Sequence, residues 1–382
     1  MLDLRIENAR LLKAEGEVNG SLAVEDGCLR LDVGGVEARQ TVDAGGRLVA
    51  PGIIDLHGDA FERQIMPRPG VDFPIDLALL ETDRQMLANG ITTAFHGISY
   101  SWEPGLRGRE NCVALLEALA AIGPRLGCDT HAHLRWETFN LEGESDVKAW
   151  LAEGLLGVLA FNNHARSIAR TIKAGTKAAK YIEQTGLSGD ALDAFVDEVL
   201  LRADDVKPAV ERLAGAALNA GIAMMSHDDP DAATRQHYRA VGCTIAEFPI
   251  TREAAADARQ AGEAVIFGAP NVVLGGSHTN AVTVSEMVAE GLCDVLATDY
   301  YYPAPLHAAF RLADDGVLPL HEAWRLISTN AADAVGMSDR GRIEEGQRAD
   351  LVLVDDGCAR NPSVLATWVA GRMVSSGPGL QL

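Results

Sequence analysis

The feature that most limits the possible folds is a regular alternation of short apolar runs with amphipathic stretches between residues 52 and 335. The runs have the length of β-strands, and the stretches between them have apolar residues at helical spacing. Nearly continuous apolar strands that alternate with helices indicate a parallel sheet buried on both faces. The eight runs are GIIDLH, ITTAFHG, CDTHAHLRW, LGVLAFNNH, IAMMSHDD, CTIAEFP, AVIFGAP and CDVLATDYY.

Eight strand–helix units within a segment of this size predict an α/β protein built on a (β/α)8 barrel, a fold that typically takes about 250 residues. A doubly wound open sheet is the alternative. It is the weaker prediction because no GxGxxG sequence follows the first strand.

The two ends of the chain have a different pattern, with short alternating β segments separated by glycine turns, as in GSLAVEDGCLRLDV and GRIEEGQRADLVLVDDG. Because both ends look alike, we expect them to meet in one small β-sandwich domain. The predicted divisions are 1–51 and 336–382 for the sandwich, with the barrel over 52–335.

The formal net charge of −21 argues against general binding to nucleic acid or to anionic membranes, because the long-range field repels polyanions. We see no apolar run near the roughly 18 residues of a membrane span and no secretory signal, so we expect a cytoplasmic protein. The six scattered cysteines form no CxxC pair, which predicts reduced thiols rather than a zinc ribbon or a disulfide framework. We also expect a homo-oligomer.

A (β/α)8 barrel carries its catalytic residues at the C-terminal ends of its strands, and polar side chains gather there in this sequence. His57 and Asp59 follow the first strand two residues apart, so that their side chains point the same way. This pair favours a metal ion, and a polar surface turn is the simpler alternative. The other strand ends carry His96, His133, Glu137, Asn163, His164, His227, Asp228, Asp229, Glu247, His278 and Asp299. So many histidines at one structural level favour a metal site.

The opening PGIIDLHGD, the closing GRIEEGQRADLVLVD and the β domain split between the termini resemble the amidohydrolase superfamily, over most of the chain. The resemblance implies a hydrolase that activates water with one or two divalent ions. The segments LHGD, HLRWE, SHDD, IAEFPIT, GAPNVVLGGSH and TDYYYPAPL are similar, in order, to the PhnM-type diphosphatases of phosphonate metabolism. Those enzymes cleave a ribose 1-alkylphosphonate 5-triphosphate to the 5-phosphate and pyrophosphate. The fourth-strand loop, NNHARSIART, departs from their pattern.

The resemblance implies that His57 and Asp59 bind the first metal, although the usual first-strand signature is HxH. A mixed nitrogen and oxygen site suits zinc, our first choice, or manganese or iron. Asp299, at the end of the eighth strand, is expected to bind the metal and to accept the proton of the attacking water. Its alternative role is a plain helix cap.

A second ion needs further ligands, and the fourth strand lacks the lysine that many two-metal relatives use as a bridge. Glu137 is the candidate bridge, or else forms a salt bridge with Arg135 or another loop arginine. His227 is the candidate second-metal ligand, with a cap or core role as the alternative. Glu247 ligates a metal or holds an arginine, and His164 could replace a histidine that relatives take from the sixth strand.

A phosphorylated sugar needs cationic partners, and arginines and lysines lie in several barrel loops. On a helix, Lys173, Lys177 and Lys180 would lie on one face and could bind phosphate. A solvent-exposed helix surface with no ligand is the alternative. The substrate-binding candidates are Arg63, Arg68, Arg135, His164, Lys177 and His278. The expected reaction is hydrolysis of a phosphoanhydride of a phosphorylated ribose; hydrolysis of a C–N bond and a non-catalytic barrel scaffold are the alternatives.

Overall fold

A computed structural model describes residues 1–31, 34–68, 70–174, 187, 189–276, 283–358 and 361–377. Its strands are β1 (Leu2–Lys13), β2 (Gly16–Glu25), β3 (Cys28–Arg30), β4 (Ala38–Asp43), β5 (Leu48–Pro51), β6 (Ile53–Gly58), β7 (Ile91–Tyr100), β8 (Asp129–Glu137), β9 (Val158–Asn162), β10 (Ala223–His227), β11 (Ile245–Glu247), β12 (Ala264–Gly268), β13 (Val295–Ala297), β14 (Leu351–Asp355), β15 (Ser363–Val369) and β16 (Arg372–Ser376).

The helices follow the strands as the alternating pattern predicts. They are α1 (Glu62–Ile65), α2 (Ile75–Ala88), α3 (Arg109–Ile122), α4 (Glu144–Ala152), α5 (Ala165–Lys173), α6 (Gly189–Leu200), α7 (Ala203–Ala220), α8 (Ala232–Ala240), α9 (Arg252–Gln260), α10 (Ala269–Leu274), α11 (Val284–Ala289), α12 (Ala304–Asp314), α13 (Leu320–Arg325) and α14 (Thr329–Ala334), with 3-10 turns at Gly123–Arg125 and Leu141–Gly143. Within the described ranges, no helix is both long and apolar enough to cross a bilayer.

Strands from the two ends of the chain form one sheet, in the order β16-β15-β14-β5-β1-β2-β3, with β4 paired to β1. Alternate residues of β1 face inward, as expected for a strand with one buried face. Leu4, Ile6, Leu22, Leu353 and Trp368 pack together in its core. The prediction that both ends of the chain meet in one sheet is confirmed. The division of the chain into domains at residues 51/52 and 335/336 stays a prediction.

The strands β6 to β13 form a second sheet in which the strand order follows the chain order. A doubly wound sheet needs a reversal of strand order, so that alternative does not describe this sheet. All six residues of β6 are buried, as in a parallel sheet covered on both faces. At the closing edge, Gly58 forms a parallel bridge with Asp299, just beyond β13. The predicted (β/α)8 barrel is confirmed.

The chain divides into two compact units, and each is described by itself below. Unit 1 consists of Met1–Phe95, Gly123–Thr130 and Ala264–Leu382, and unit 2 consists of His96–Ile122 and His131–Glu263. Unit 1 contains the terminal sheet together with β6, β12 and β13. Unit 2 contains β9, β10 and β11 together with the helices that follow them.

In unit 2, side-chain caps fix where the helices after β10 and β11 begin. Asp231 precedes α8 and its side chain accepts a hydrogen bond from the backbone N–H of Thr234, at 2.8 Å. Thr251 precedes α9 and caps Ala254 in the same way, at 3.2 Å. Such caps satisfy N–H groups of the first helical turn that have no partner within the helix. The loops after β10 and β11 are therefore short and anchored at both ends.

Candidate metal centre

The first candidate metal group lies in unit 1, where β6 ends beside the segment that follows β13. One ligand atom from each of His57, Asp59 and Asp299 lies within 4.8 Å of the others. The backbone fixes this grouping, because Asp59 N–H donates to the Asp299 carbonyl and Asp299 N–H donates to the His57 carbonyl, both at 2.9 Å. The structure thus brings together three residues that the sequence predicts as ligands of one ion.

Asp299 reaches this position through a left-handed backbone, with φ of +55°. A residue other than glycine in this region is uncommon, and it persists where its surroundings hold it in place. Here the two backbone hydrogen bonds to His57 and Asp59 do so. Backbone strain at a residue with a reactive side chain is typical of functional sites.

Behind this group, a buried carboxylate that the sequence analysis missed ties β6 to the segment after β13. Asp55 is 1% exposed and accepts hydrogen bonds from Thr298 Oγ1 at 2.6 Å and from Thr298 N–H at 2.9 Å. Burial raises the pKa of Asp55, and its hydrogen bonds with Thr298 oppose that rise. An aspartate inside the apolar run GIIDLHG was the sequence signal for this role, because such a carboxylate needs buried partners.

Gly58, between His57 and Asp59, leaves no space for a side chain. A Cβ atom there would lie 2.6 Å from Asp55 Oδ2 and 2.8 Å from Thr298 Oγ1. Both distances are shorter than any ordinary contact of a carbon atom. The glycine of the LHGD segment is therefore required by the close approach of β6 to Thr298.

The second candidate metal group lies in unit 2. His227 is the last residue of β10, and His164 follows β9 by two residues. One ligand atom from each of His164, His227 and Asp228 lies within 4.8 Å of the others. The Asp228 carboxylate lies 3.3 Å from His164 Nε2 and 3.6 Å from His227 Nε2. Asp228, like Asp299, has a left-handed backbone, with φ of +58°.

The Nδ1 atom of each histidine in this group is bound by a buried glutamate. Glu137, which ends β8, lies 2.5 Å from His164 Nδ1 and accepts a hydrogen bond from His164 N–H at 3.1 Å. Glu247, which ends β11, lies 2.6 Å from His227 Nδ1. A histidine that binds a metal is usually oriented by a carboxylate or a carbonyl group on its other nitrogen. This arrangement is therefore the one that metal-binding histidines need.

Hydrogen bonds with carboxylates determine the charge of His164 in this group. Burial alone would lower the pKa of His164, but hydrogen bonds with Asp228 and Glu137 outweigh it and raise the pKa to about 9. Burial would raise the pKa of Glu137, but the hydrogen bond with His164 outweighs it and the pKa is lowered. A proton on His164 thus occupies an environment built for positive charge. A cation can take the place of that proton, as metals do at protonated ligands.

Both groups fit a divalent ion on the chemistry of their donors. Each offers histidine nitrogen and carboxylate oxygen within a space of ion size, a combination that suits zinc, manganese or iron. Glu137 and Glu247 contact the histidines of the unit 2 group directly. That Glu137 bridges two ions stays a prediction, and so does direct ligation of a metal by Glu247.

The predicted substrate-binding residues fall into different places. Arg135 is 7% exposed and its Nη2 lies 3.3 Å from His227 Nε2, beside the unit 2 group. In unit 1, the guanidinium of Arg63 lies over the ring of Tyr300, 5.7 Å from its centroid, and Tyr300 follows Asp299 in the chain. Arg68 is exposed in a turn that it closes by bridging Val71. Two further predicted residues lie outside the described ones: Lys177 and His278.

Comparison with known proteins supports these observations. The chain matches the amidohydrolase family (Amidohydro_3) over residues 185–375. It is 33% identical over 355 residues to the alpha-D-ribose 1-methylphosphonate 5-triphosphate diphosphatase of Escherichia coli (strain K12), which covers 91% of this chain and 94% of that protein. It is 26% identical to an adenine deaminase of Methylobacterium nodulans, over 99% of this chain and 61% of that protein.

Solved structures of the same architecture extend over nearly the whole chain. The N-isopropylammelide isopropylaminohydrolase of Burkholderia multivorans superposes with a TM-score of 0.68 at 17% identity and covers 100% of both chains. The N-acetylglucosamine-6-phosphate deacetylase of Pasteurella multocida superposes with a TM-score of 0.63 at 14% identity, over 98% of this chain and 100% of that one. This chain belongs to the amidohydrolase family, and the resemblance predicted from its motifs is confirmed.

Removing the charge of Glu137 tests its part in the unit 2 group. Glu137→Gln keeps the size of the side chain but weakens the contact with His164 Nδ1, so we expect metal affinity to fall by about 10–100-fold, the usual effect of losing such a partner. The measurement is a Zn²⁺ titration of chelator-treated protein, with bound metal counted per chain. Glu142→Gln, which weakens an ion pair with Arg202 at the surface, is the matched control. Unchanged affinity and stoichiometry in Glu137→Gln would refute both this role and the bridge.

Proposed function

We propose that this amidohydrolase is a metal-dependent diphosphatase. Its substrate would be a phosphorylated ribose, and the reaction would convert a ribose 1-alkylphosphonate 5-triphosphate to the 5-phosphate and pyrophosphate. The observation that carries the proposal is the 33% identity to a diphosphatase that acts on such a compound, because it extends over 91% of the chain. Two candidate metal groups in a chain of net charge −21 support it, since an anionic substrate then needs local positive charge.

In unit 1, His57, Asp59 and Asp299 would hold a divalent ion, with zinc as the first choice. Such an ion supplies Lewis-acid activation of water and of a phosphoryl oxygen when it is bound. Asp299 would also accept the proton of the attacking water, because it offers a carboxylate oxygen within 4.8 Å of ligand atoms of His57 and Asp59. His57 and Asp59 would be the other two ligands of this ion. Their positions relative to Asp299 are fixed by the backbone hydrogen bonds that link the three residues.

In unit 2, His164, His227 and Asp228 would hold a second ion. Glu137 and Glu247 fix the rings of the two histidines through Nδ1. His164 Nε2 then faces Asp228, and His227 Nε2 faces both Asp228 and Arg135. Proton release from His164 would accompany binding of that ion, because the imidazole must be neutral to ligate a metal.

The reaction proposed is a substitution at phosphorus. Water oxygen bonds to the phosphorus next to the ribose, the bond from that phosphorus to the bridging oxygen breaks, and pyrophosphate leaves with the electron pair. The proton of water passes to Asp299. In water labelled with ¹⁸O, the label should enter the 5-phosphate group of the ribose 1-alkylphosphonate product and not the pyrophosphate.

A hydrolysis screen tests the proposal. The metal-loaded protein is given ribose 1-methylphosphonate 5-triphosphate, nucleoside triphosphates, adenine and N-acetylglucosamine 6-phosphate, and phosphate, pyrophosphate, ammonia and acetate are measured separately. We expect pyrophosphate from the ribose compound in step with loss of substrate. Release of ammonia or acetate without pyrophosphate would instead show C–N hydrolysis and overturn the proposal.

Arg63 is proposed to bind a substrate phosphate. The contact with Tyr300 holds its guanidinium over the ring of the residue that follows Asp299 in the chain. A planar guanidinium can donate two hydrogen bonds to one phosphate. Arg63→Ala should raise KM by about 10-fold or more, as expected for a lost charged hydrogen bond, with metal content unchanged. Arg84→Ala, which removes an exposed arginine of α2 paired with Glu81, is the control. An Arg63→Ala enzyme with wild-type KM would exclude this role.

A further inference from the structure

Arg235, in α8 of unit 2, is fully buried, with 0% of its surface exposed. A buried guanidinium is unfavourable unless its five N–H groups find partners. On one side, its Nε lies 3.0 Å from Glu263 Oε2, and its two Nη atoms donate to the carbonyls of Cys243 at 2.7 Å and Ile245 at 3.1 Å. These partners anchor the arginine near the start of β11.

The other side of the guanidinium contacts the loop that carries the unit 2 metal group. Nη1 donates to Ser226 Oγ and lies 3.5 Å from Asp229 Oδ2. Ser226 Oγ in turn donates to Asp229 Oδ2, at 2.5 Å. Ser226 immediately precedes His227, and Asp229 immediately follows Asp228. Arg235 therefore binds the residues on either side of two candidate ligands.

This loop needs such support because its backbone is strained at Asp228, with φ of +58°. Two backbone hydrogen bonds help to hold it, from Asp228 N–H to the Glu247 carbonyl at 2.9 Å and from Ile250 N–H to the Asp229 carbonyl at 3.0 Å. The Asp229 side chain adds a further anchor through Arg235. All of these contacts are made by Asp228 or by Asp229, the next residue, so they hold the strained backbone directly.

The charge of Arg235 is not required to neutralise Glu263. Arg239 already does so, with its Nε 2.6 Å from Glu263 Oε1 and its Nη2 2.9 Å from Glu263 Oε2. For stability alone, a fully buried arginine is a poor choice here, because apolar side chains of similar volume are often as good or better. The contacts of Arg235 with Ser226 and Asp229 account for its presence.

We propose that Arg235 is a positioning residue that acts through Ser226 and Asp229 to hold His227 and Asp228 in the arrangement that binds a metal. The inference rests on the proposed function in one respect, the assignment of a metal ion to the unit 2 group. It does not depend on which bond the enzyme hydrolyses.

The test compares Arg235→Met with Arg239→Met in full-length, chelator-treated protein titrated with Zn²⁺. Both variants lose an arginine that binds Glu263, so both should unfold at a lower temperature than the wild type. Only Arg235→Met removes the contacts with Ser226 and Asp229. We therefore expect the Zn²⁺ ion of the unit 2 group to bind about 10–100-fold more weakly in this variant. Arg239→Met should bind Zn²⁺ like the wild type. Arg235→Lys should restore little, because an ammonium cannot reproduce the fork of donors.

Two results would overturn the inference: wild-type Zn²⁺ affinity in Arg235→Met, or an equal loss in both variants. If Arg235→Met does not fold, Ser226→Ala carries the test, since it removes a single hydroxyl from the network. Weaker Zn²⁺ binding with near wild-type thermal stability is then expected, and unchanged binding refutes the proposal. Failure of the wild type to release pyrophosphate would reject the diphosphatase proposal alone, because the Zn²⁺ titrations do not measure turnover.

Discussion

Asp299→Asn should keep its metal and lose turnover by about 10²–10⁴-fold, the range that a positioned acid–base group contributes. An amide can still offer an oxygen to a metal, but it cannot accept a proton. The backbone should tolerate the change, because asparagine adopts the left-handed region more readily than most residues, and Asp299 has φ of +55°. The measurements are metal content per chain and turnover at saturating substrate.

Asp299→Ala is the matched comparison for this variant. Alanine provides neither a ligand oxygen nor a proton acceptor and is disfavoured at a positive φ, so we expect both metal and turnover to fall. If Asp299→Asn retained most of the wild-type turnover with full metal content, Asp299 would not be the proton acceptor. Asp228 would then be the next candidate.

The second large effect is expected at Gly58. Gly58→Ala would place a carbon atom 2.6 Å from Asp55 Oδ2 and 2.8 Å from Thr298 Oγ1, and both of those side chains are buried. Overpacking of this kind typically costs about 1–3 kcal/mol. Here the relaxation has to separate β6 from Thr298, which moves His57 and Asp59 away from Asp299. We expect loss of metal from the unit 1 group and a loss of activity of at least about 10²-fold.

The control for Gly58→Ala is a glycine that has room for a side chain. Gly215, within α7, has no positive φ, and a Cβ atom added to it would meet nothing within 4 Å beyond the adjacent backbone of its own helix. Gly215→Ala should leave activity unchanged and raise the stability of the helix by up to about 1 kcal/mol. The measurements are the metal content per chain and the thermal unfolding temperature of both variants. Normal metal content in Gly58→Ala would show that the close approach to Thr298 is dispensable.

Much of this architecture could be predicted from the sequence because it depends on local periodicity. The apolar runs of strand length between 52 and 335 indicated the order of the barrel strands, and the alternating ends of the chain indicated the terminal sheet. Strand ends could be located in the same way. His57, Asp59 and Asp299 therefore stood out as candidate ligands before the structure placed them within 4.8 Å of one another.

The contacts behind the ligands could not be predicted, because they depend on which side chains meet in space. For Glu247 the sequence offered a metal or an arginine as partner, and the structure places its carboxylate 2.6 Å from His227 Nδ1. Asp55 and Arg235 went unnoticed, since one lies inside an apolar strand and the other on a helix. The apolar run around Asp55 indicates that its carboxylate needs a buried partner. Neither that partner, Thr298, nor the contact of Arg235 with Ser226 can be identified from the local sequence.

The hydrogen bonds between β6 and the segment after β13 also have a kinetic consequence. Asp55 and Thr298 are separated by 243 residues in the chain, so their contact forms only after a very large loop has closed. Contacts of such long range are slow to form and arise late in folding when the transition state is dominated by local structure. Because Asp299 adjoins Thr298, the unit 1 group cannot exist before this contact does. In refolding from denaturant, uptake of metal by this group should lag behind the recovery of helical circular dichroism and thus time the closure of the barrel.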